Sequence, residues 1–513
     1  MSKHKDFLFV LIKSLSKSEK RQFKLYAGRL DINADAKYIS LFNLLDKMDD
    51  YDEDFIINSG IVKKQQLSNL KSHLYKQILI SIRLSPLNQN IRIQIREQLD
   101  FATILYHKGL YKQSLKILDK AKQLSLENEE KNIAFEIIEL EKLIETQYIT
   151  RSTMGRAEEL VVQSLELSEQ NALASKLSNL SLQLYGIMLK SGYVKNDDEY
   201  VEITEFFNEN LPKYKQTDLG FREKYWLYNA TLWYSFLTQD FLSCYRYAQK
   251  WVRLFNDNPQ MIFINPVFYL KGNQYLLESL FLLKHSTNFK NTLLVLDQTI
   301  QDERFPQNEN ITSLIFLNLY THKLNLHFLE GTFQEGEYLV PIILKKIKEH
   351  SEQLDEHHIM VFYYKIACLY FGSGDNRKCI SFLDKIIKNK NLTMREDLMC
   401  FSRVLSLVAH YELGMDYQLE LQLKSTYKFL IRMNDLHGVQ KEMIRFLKQI
   451  SFVYPNEIKK EFTKLRDTLI KFEEDPYEKR AFLYLDVISW LESKIENRTV
   501  GEIVREKALK RNR

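Results

Sequence analysis

The sequence predicts an all-α protein, an α-solenoid of antiparallel helix pairs with helical caps at both ends. Three observations carry this. Breakers are scarce, with 15 Gly and 8 Pro in 513 residues, which favours long helices over many short strands. A turn recurs along the chain with apolar residues at fixed distances behind it. Prolines then mark where successive pairs must reverse.

The composition, 45% hydrophobic and 27% charged, supplies a large buried core, and the length is too great for one compact core. No run approaches the roughly 18 apolar residues of a membrane helix. The best N-terminal candidate, residues 7–12, is followed by Lys13, Lys17, Lys20 and Arg21 without a small-residue cleavage site. An amphipathic helix is expected there, not a signal peptide. Cys244, Cys368, Cys379 and Cys400 form no CxxC pair, and no His cluster has zinc spacing, so reduced thiols in a cytoplasm are expected and a metal site is not.

Residues 1–96 read as a basic, helical capping domain of four or five helices. They hold 17 Lys+Arg against 10 Asp+Glu. Ser16 or Ser18 can cap the helix through Phe23 and Tyr26. The acidic run 49–54 lacks the Gly and distal Glu of a calcium loop and suits a helix N-terminus. Phe55, a Ser59-Gly60 turn and a helix with Lys63, Lys64, Lys71, Lys76 and Arg83 outline a helix-turn-helix. Gln66 and Asn69 stand where its core residues are wanted. A solvated capping domain is therefore the main expectation, and nucleic acid binding the alternative.

Residues 97–435 carry the repeat, in about eight pairs. Its turns are expected at Gly109, Gln239, Thr287, Gly331, Gly374 and Gly414. Two residues past the turn stands an aromatic in four units: Tyr111, Phe241, Phe289 and Phe333; Asn376 and Asp416 depart from this. Five past it, Ser114, Cys244, Thr292, Gly336 and Cys379 are small enough to let the two helices approach, with Leu419 the exception. Cys244 and Cys379 are therefore packing residues and not reactive thiols. Nine past it, Leu118, Ala248, Leu296, Val340, Leu383 and Leu423 enter the core. Pro212, Pro259 and Pro306 each follow a second helix. Asn265-Pro266 suits a helix cap and first turn, and Pro341 predicts a kink or a late helix start. Between Gly109 and Gln239 helices are expected near 131–149, 156–169, 172–191 and 197–210, with turns at 151–155 and Gly192.

Residues 436–513 continue as a helical cap with a basic tail. Pro455 and Pro476 each open a helix, Trp490, Leu491 and Ile495 make an apolar stripe that closes the stack, and a short last helix frays after Asn497.

The glycine turn, the aromatic after it and the small residue of the second helix resemble the tetratricopeptide repeat over 97–435. The small residue seven before the turn is present as Ala102 and Ala367, but Leu232, Leu280, Leu324 and Leu407 replace it elsewhere, so packing is looser there. The segments KSLSKSEKRQFKLYA at 13–27, HYELG at 410–414 with STYKFL at 425–430, and DPYEKRAF with ISWLESKI within 475–495 resemble a family of uncharacterised bacterial tetratricopeptide-like proteins. That resemblance implies a fold and a cytoplasmic address, and no activity.

No Gly-rich phosphate loop, GxSxG, HExxH or paired carboxylate pattern occurs, so an enzyme, a cofactor and a membrane are not expected. His322 and His327 are five apart, and the neighbours His357 and His358 face different ways; packing or surface roles are expected for all four. In the tetratricopeptide repeat the first helix of each pair lines a concave groove, with side chains six and ten before the turn projecting into it. That frame gives Asn229 and Trp233, Leu277 and Phe281, Thr321 and Asn325, Tyr364 and Cys368, Val404 and Val408. The candidate groove residues are Asn229, Trp233, Thr321, His322, Asn325, Tyr364 and Lys365. Family members that clamp peptide carboxylates use Asn and Lys on this face, and Asn325 and Lys365 occupy corresponding kinds of position, though the full clamp is absent. The resemblance implies a scaffold that binds a protein or peptide partner. The alternative is a peptide-sensing regulator with a DNA-binding N-terminal segment.

Overall fold

The computed structural model describes residues 6–30, 36–85, 90–148, 155–215, 219–351, 353–389, 396–432, 438–454, 456–473, 475, 477–478, 482 and 486–511. Helix makes up 82% of the chain, and the described residues contain no strand. The chain divides into two compact units, Met1–Leu167 and Ser168–Arg513. The division falls inside a helix.

In the first unit, α1 (Phe7–Ser14), α2 (Lys17–Leu30), α3 (Ala36–Lys47), α4 (Glu53–Asn58) and α5 (Lys64–Arg83) enclose their own core around Phe23, Leu41, Phe42, Leu74 and Ile78. Ser16 caps α2 in a reciprocal box: Glu19 N–H donates to Ser16 Oγ (3.2 Å), and Ser16 N–H donates to Glu19 Oε2 (2.9 Å). Asp52 caps α4 by accepting from Phe55 N–H at 3.1 Å, which uses the acidic run as a helix start. A second core joins α6 (Ile91–His107), α7 (Tyr111–Glu127) and α8 (Lys131–Gln147). The close approach expected at Ser114 is real: its hydroxyl donates to Ala102 O at 2.8 Å, and both residues are fully buried.

One helix, α9 (Arg156–Ser191), fills the span where two were expected. No Gly or Pro stands between Arg156 and Gly186, and nothing ends the hydrogen-bond ladder near residue 170. The turn expected at 151–155 lies, but for Gly155, outside the described residues.

The second unit continues with α10 (Asp197–Asn210), α11 (Phe221–Leu237), α12 (Phe241–Asn256), the single turn α13 (Gln260–Ile264), α14 (Pro266–Leu282) and α15 (Ser286–Ile300). Then come α16 (Glu309–Glu330), α17 (Phe333–Gly336), α18 (Leu339–Glu349), α19 (Glu356–Ser373), α20 (Asn376–Ile387), α21 (Glu396–Glu412) and α22 (Asp416–Arg432). The chain closes with α23 (Gly438–Gln449), α24 (Ile458–Glu473), α25 (Val487–Glu496) and α26 (Val500–Arg511). Helix α11 packs on α12, α14 on α15, α16 on α17 and α18, α19 on α20, and α21 on α22; α14, α16, α19 and α21 also pack one on the next.

One turn geometry recurs. Gly109, Glu129, Gln239, Lys284, Gly331, Gly374 and Gly414 have positive φ, and in each case the next helix starts two residues later. The following N–H reaches back five residues, as in Leu110→Leu105 (2.9 Å), Asp240→Ser235 (2.9 Å), His285→Leu280 (3.0 Å), Thr332→His327 (3.0 Å) and Met415→His410 (3.1 Å). This is a left-handed helix stop with its orphan carbonyl satisfied. It corrects the frame of one pair: the turn is at Lys284, three residues before Thr287. Phe289, fully buried, then takes the close-packing position, and Thr292 is only half-buried. Lys284 escaped notice because a left-handed residue is usually Gly or Asn.

The prolines act as stops and starts. Pro266 is the first residue of α14, although Asn265 makes no side-chain cap. Pro341 sits in the first turn of α18, which starts at Leu339 after α17 has ended at Gly336. Pro455 and Pro476 lie outside the described residues.

The C-terminal end differs from a fraying tail. Thr499 and Glu502 form a second reciprocal cap (Thr499 N–H to Oε2 2.8 Å, Glu502 N–H to Oγ1 3.2 Å), and Ile503 and Val504 are buried. Most of the tail's basic groups are paired: Arg498 with Glu496 (2.9 Å) and Glu506 (2.6 Å), Arg505 with Glu335 (3.1 Å), and Lys510 with Glu506 (2.6 Å). A capped helix with an apolar face gains more by docking than by fraying. Trp490 is buried, and its indole N–H donates to Glu412 Oε1 at 2.7 Å.

Candidate functional site

Within the second unit, first helices α14, α16 and α19 line a cavity of about 430 Å³. Gln274, Glu278 and Phe281 come from α14; Asn318, Thr321, His322 and Phe328 from α16; His357, His358, Tyr364, Lys365 and Cys368 from α19. The C-terminal segment completes the wall with Glu473, Phe482, Asp486, Val500, Val504 and Arg511. Helix α26 packs on both α16 and α19. The faces that the repeat frame assigned to a groove thus carry the chain's own last helix.

Of the candidate residues, Thr321, His322, Tyr364 and Lys365 meet in this lining. Asn325 stands behind them, fully buried, accepting from Lys365 Nζ at 2.7 Å and lying 3.4 Å from His322 Nδ1. Lys365 Nζ also sits 5.7 Å from the Phe281 ring centroid and 6.0 Å from that of Phe328, a cation over two aromatic faces. Asn229 and Trp233 are not part of the lining. Asn229 is buried, and Trp233 packs on Tyr185 and Tyr275 with ring centroids 4.9 and 5.6 Å away. Leu277, Val404 and Val408 are core residues.

Gln274 and Glu278 were missed because of the slip at Lys284. Counted from Lys284 they stand ten and six before the turn, where the same rule would have found them. Val500, Val504 and Arg511 had no repeat signal to reveal them. His357 and His358 both reach the lining, with rings 5.5 Å apart, despite being neighbours in sequence. They lie in the first turn of α19, beside the cavity, where His358 Nδ1 is 2.7 Å from the capping carboxylate of Asp355.

The electrostatics separate reactive from inert groups. Burial, aided by Lys365, lowers the His322 imidazole to about 3, so it is neutral at ordinary pH. Burial pushes the Cys368 thiol up to about 12 and that of Cys379 well above its usual range, which makes both poor nucleophiles. Burial alone would raise the Asp486 carboxyl, but Lys507, Lys284 and Ser489 hold it below the usual value. Among the described residues no three His, Cys, Asp or Glu side chains gather to hold a metal ion, and no helix is long and apolar enough to cross a membrane.

The basic helix α5 offers less free charge than its sequence suggests. Lys71 is bound to Asp6 and donates to Tyr51 Oη (2.9 Å), and Arg83 pairs with Asp100 at 3.0 Å. Its buried residues are Leu67, Leu74, Ile78 and Ser81, while Gln66 and Asn69 are exposed.

No protein-family model matches this chain, and neither a curated protein nor a solved structure matches it.

Proposed function

We propose that the protein is a tetratricopeptide-like α-solenoid that acts as an interaction scaffold, receiving a peptide or helix of a partner protein on the face formed by α14, α16 and α19. The observation that carries this reading is the position of α26. A helix already lies on α16 and α19, presenting Val500 and Val504 to the cavity and Arg505 to Glu335. A surface that accommodates one such helix has the shape and chemistry for helix-in-groove recognition. The polar residues around it, Thr321, Tyr364 and Lys365, supply orientation, and the aromatic ones supply buried area.

A photo-crosslinking residue in place of His358, at the exposed rim of the cavity, tests this in the native cell. It should trap a second protein, and the yield should fall when Asn325 and Lys365 are both replaced by Ala. The same residue in place of Lys345, an exposed position on α18, is the control. Equal trapping from the two positions, or none from His358, sinks the reading.

A further inference from the structure

His322 is 1% exposed and lines the cavity, and its Nε2 has no hydrogen-bond partner. Such a group calls for an explanation, since buried polar atoms are nearly always paired. Its protonation follows from its neighbours. A lysine ammonium has donors only, so the Asn325 atom 2.7 Å from Lys365 Nζ is the carbonyl oxygen. That turns the Asn325 amide nitrogen toward His322 Nδ1, 3.4 Å away, and Nδ1 must accept. The proton of the neutral ring then sits on Nε2. The result is a buried N–H donor with no acceptor among the described residues.

The surroundings define what acceptor would suit it. Among the described lining residues, α16 and α19 contribute one fixed charge, the ammonium of Lys365, beside the hydroxyls of Thr321 and Tyr364. The carboxylates of the lining come from elsewhere: Glu278 from α14, Glu473 beside Lys284 at 3.8 Å, and Asp486 held by Lys507 and Lys284. The apolar part of the wall is made by Phe281, Leu317, Phe328, Val361 and Val504, while Gln274, Asn318, His357, His358 and Arg511 add polar groups elsewhere. A volume of about 430 Å³ falls within the range of small-molecule sites.

We propose that this cavity binds a small amphipathic acid, its carboxylate received by His322 Nε2–H and Lys365 and its apolar body held along Phe281, Phe328 and Val504. A carboxylate only accepts hydrogen bonds, so it completes His322 and takes a charge-assisted hydrogen bond from Lys365. This inference does not rest on the scaffold reading. A small acid can lie beneath a docked helix, and either activity can exist without the other.

Calorimetric titration of the full chain with decanoate, decan-1-ol and decylamine tests the proposal. Decanoate should bind saturably at one site, decanol roughly tenfold more weakly for want of a charge-assisted hydrogen bond, and decylamine not at all. Lys365→Met should weaken decanoate by about the same factor and leave decanol unchanged. His322→Phe should weaken both. Circular dichroism reports whether each variant is folded, and the three-ligand comparison on the natural chain stands if either is not. Absence of saturable decanoate binding, or decylamine binding as tightly as decanoate, overturns the proposal. Unchanged decanoate affinity in both folded variants also overturns it.

Discussion

Gly331 and Gly501 meet backbone to backbone: a Cβ on Gly331 would stand 2.6 Å from the Gly501 carbonyl oxygen and 2.8 Å from the Arg505 nitrogen. Gly331 also has φ +67°. Gly331→Ala therefore meets two penalties, a left-handed strain of about 1–2 kcal/mol and a clash with backbone that cannot swing aside. Gly374→Ala meets only the first, since nothing lies within 4 Å of its added carbon. The melting temperature should fall further in Gly331→Ala. Hydrogen exchange should show α26 deprotected in Gly331→Ala and protected in Gly374→Ala; equal protection would mean that the glycine contact does not hold the helix.

The recurring left-handed turn makes a second contrast. Lys284 has φ +58° and a half-exposed ion pair with Glu473 at 3.8 Å. Relief of strain, about 1–2 kcal/mol, should exceed the loss of that pair and of the attraction to Asp486, which Lys507 and Ser489 still support, so Lys284→Gly should stabilise the chain by up to roughly 0.5 kcal/mol. Gln239 has φ +57°, but it is buried and its Nε2 donates to Val194 O at 3.1 Å. Gln239→Gly gives up that bond, worth about 1 kcal/mol, and leaves a buried carbonyl short of a donor. Its melting temperature should not rise, in contrast to that of Lys284→Gly.

These turns also mark what could be read from the sequence. Where glycine supplies the left-handed residue, as at Gly109, Gly331, Gly374 and Gly414, both helix boundaries and packing positions followed from the spacing. Ser114 on Ala102 is the clearest case. Where Lys284 does the same job, composition gives no warning, and the frame slipped past Gln274 and Glu278. The four candidates that meet in the cavity sit on α16 and α19, whose turns are glycines. The C-terminal wall was not legible, because Arg505 finds Glu335 170 residues away in sequence and α26 packs on the distant helices α16 and α19, and no local pattern encodes those contacts.

A buried ion pair in the first unit gives a third prediction. Lys122 Nζ lies 2.6 Å from Glu141 Oε2, with Glu141 1% exposed and Arg156 Nη2 at 3.3 Å. Removing one partner strands a buried charge at a cost of about 3–5 kcal/mol. Glu141→Leu should thus be strongly destabilising. The pair Lys122→Met with Glu141→Leu should recover much of that loss, because two apolar groups need no partner. The chain has two units, so a single unfolding midpoint does not isolate the effect. Amide exchange in α7 and α8 does, and equal protection in the single and double variants would show that the ion pair is not the source of the loss.

His322 makes stability depend on pH in a direction that can be worked out. Its folded value, lowered to about 3 by burial and by Lys365, lies below the value of about 6.5 expected for an unfolded histidine. Above pH 6.5 the imidazole is neutral in both states and contributes no slope. Between pH 6.5 and 3 the unfolded chain binds the proton and the folded chain does not. Stability is then lost as pH falls, by up to about 1.4 kcal/mol per pH unit from this residue. His327 and His350 are lowered as well, mainly by burial, so the natural chain should show a steeper slope than one group gives. The difference between the natural chain and His322→Gln isolates the residue. Gln keeps an acceptor for the Asn325 amide and has no proton to gain. Denaturation of the second unit, followed by amide exchange in α16 and α19 from pH 7 to pH 5, should show a shallower decline in His322→Gln. Parallel declines would mean that His322 is protonated in the fold, and its Nε2–H would then no longer be fixed by the hydrogen bond from Asn325.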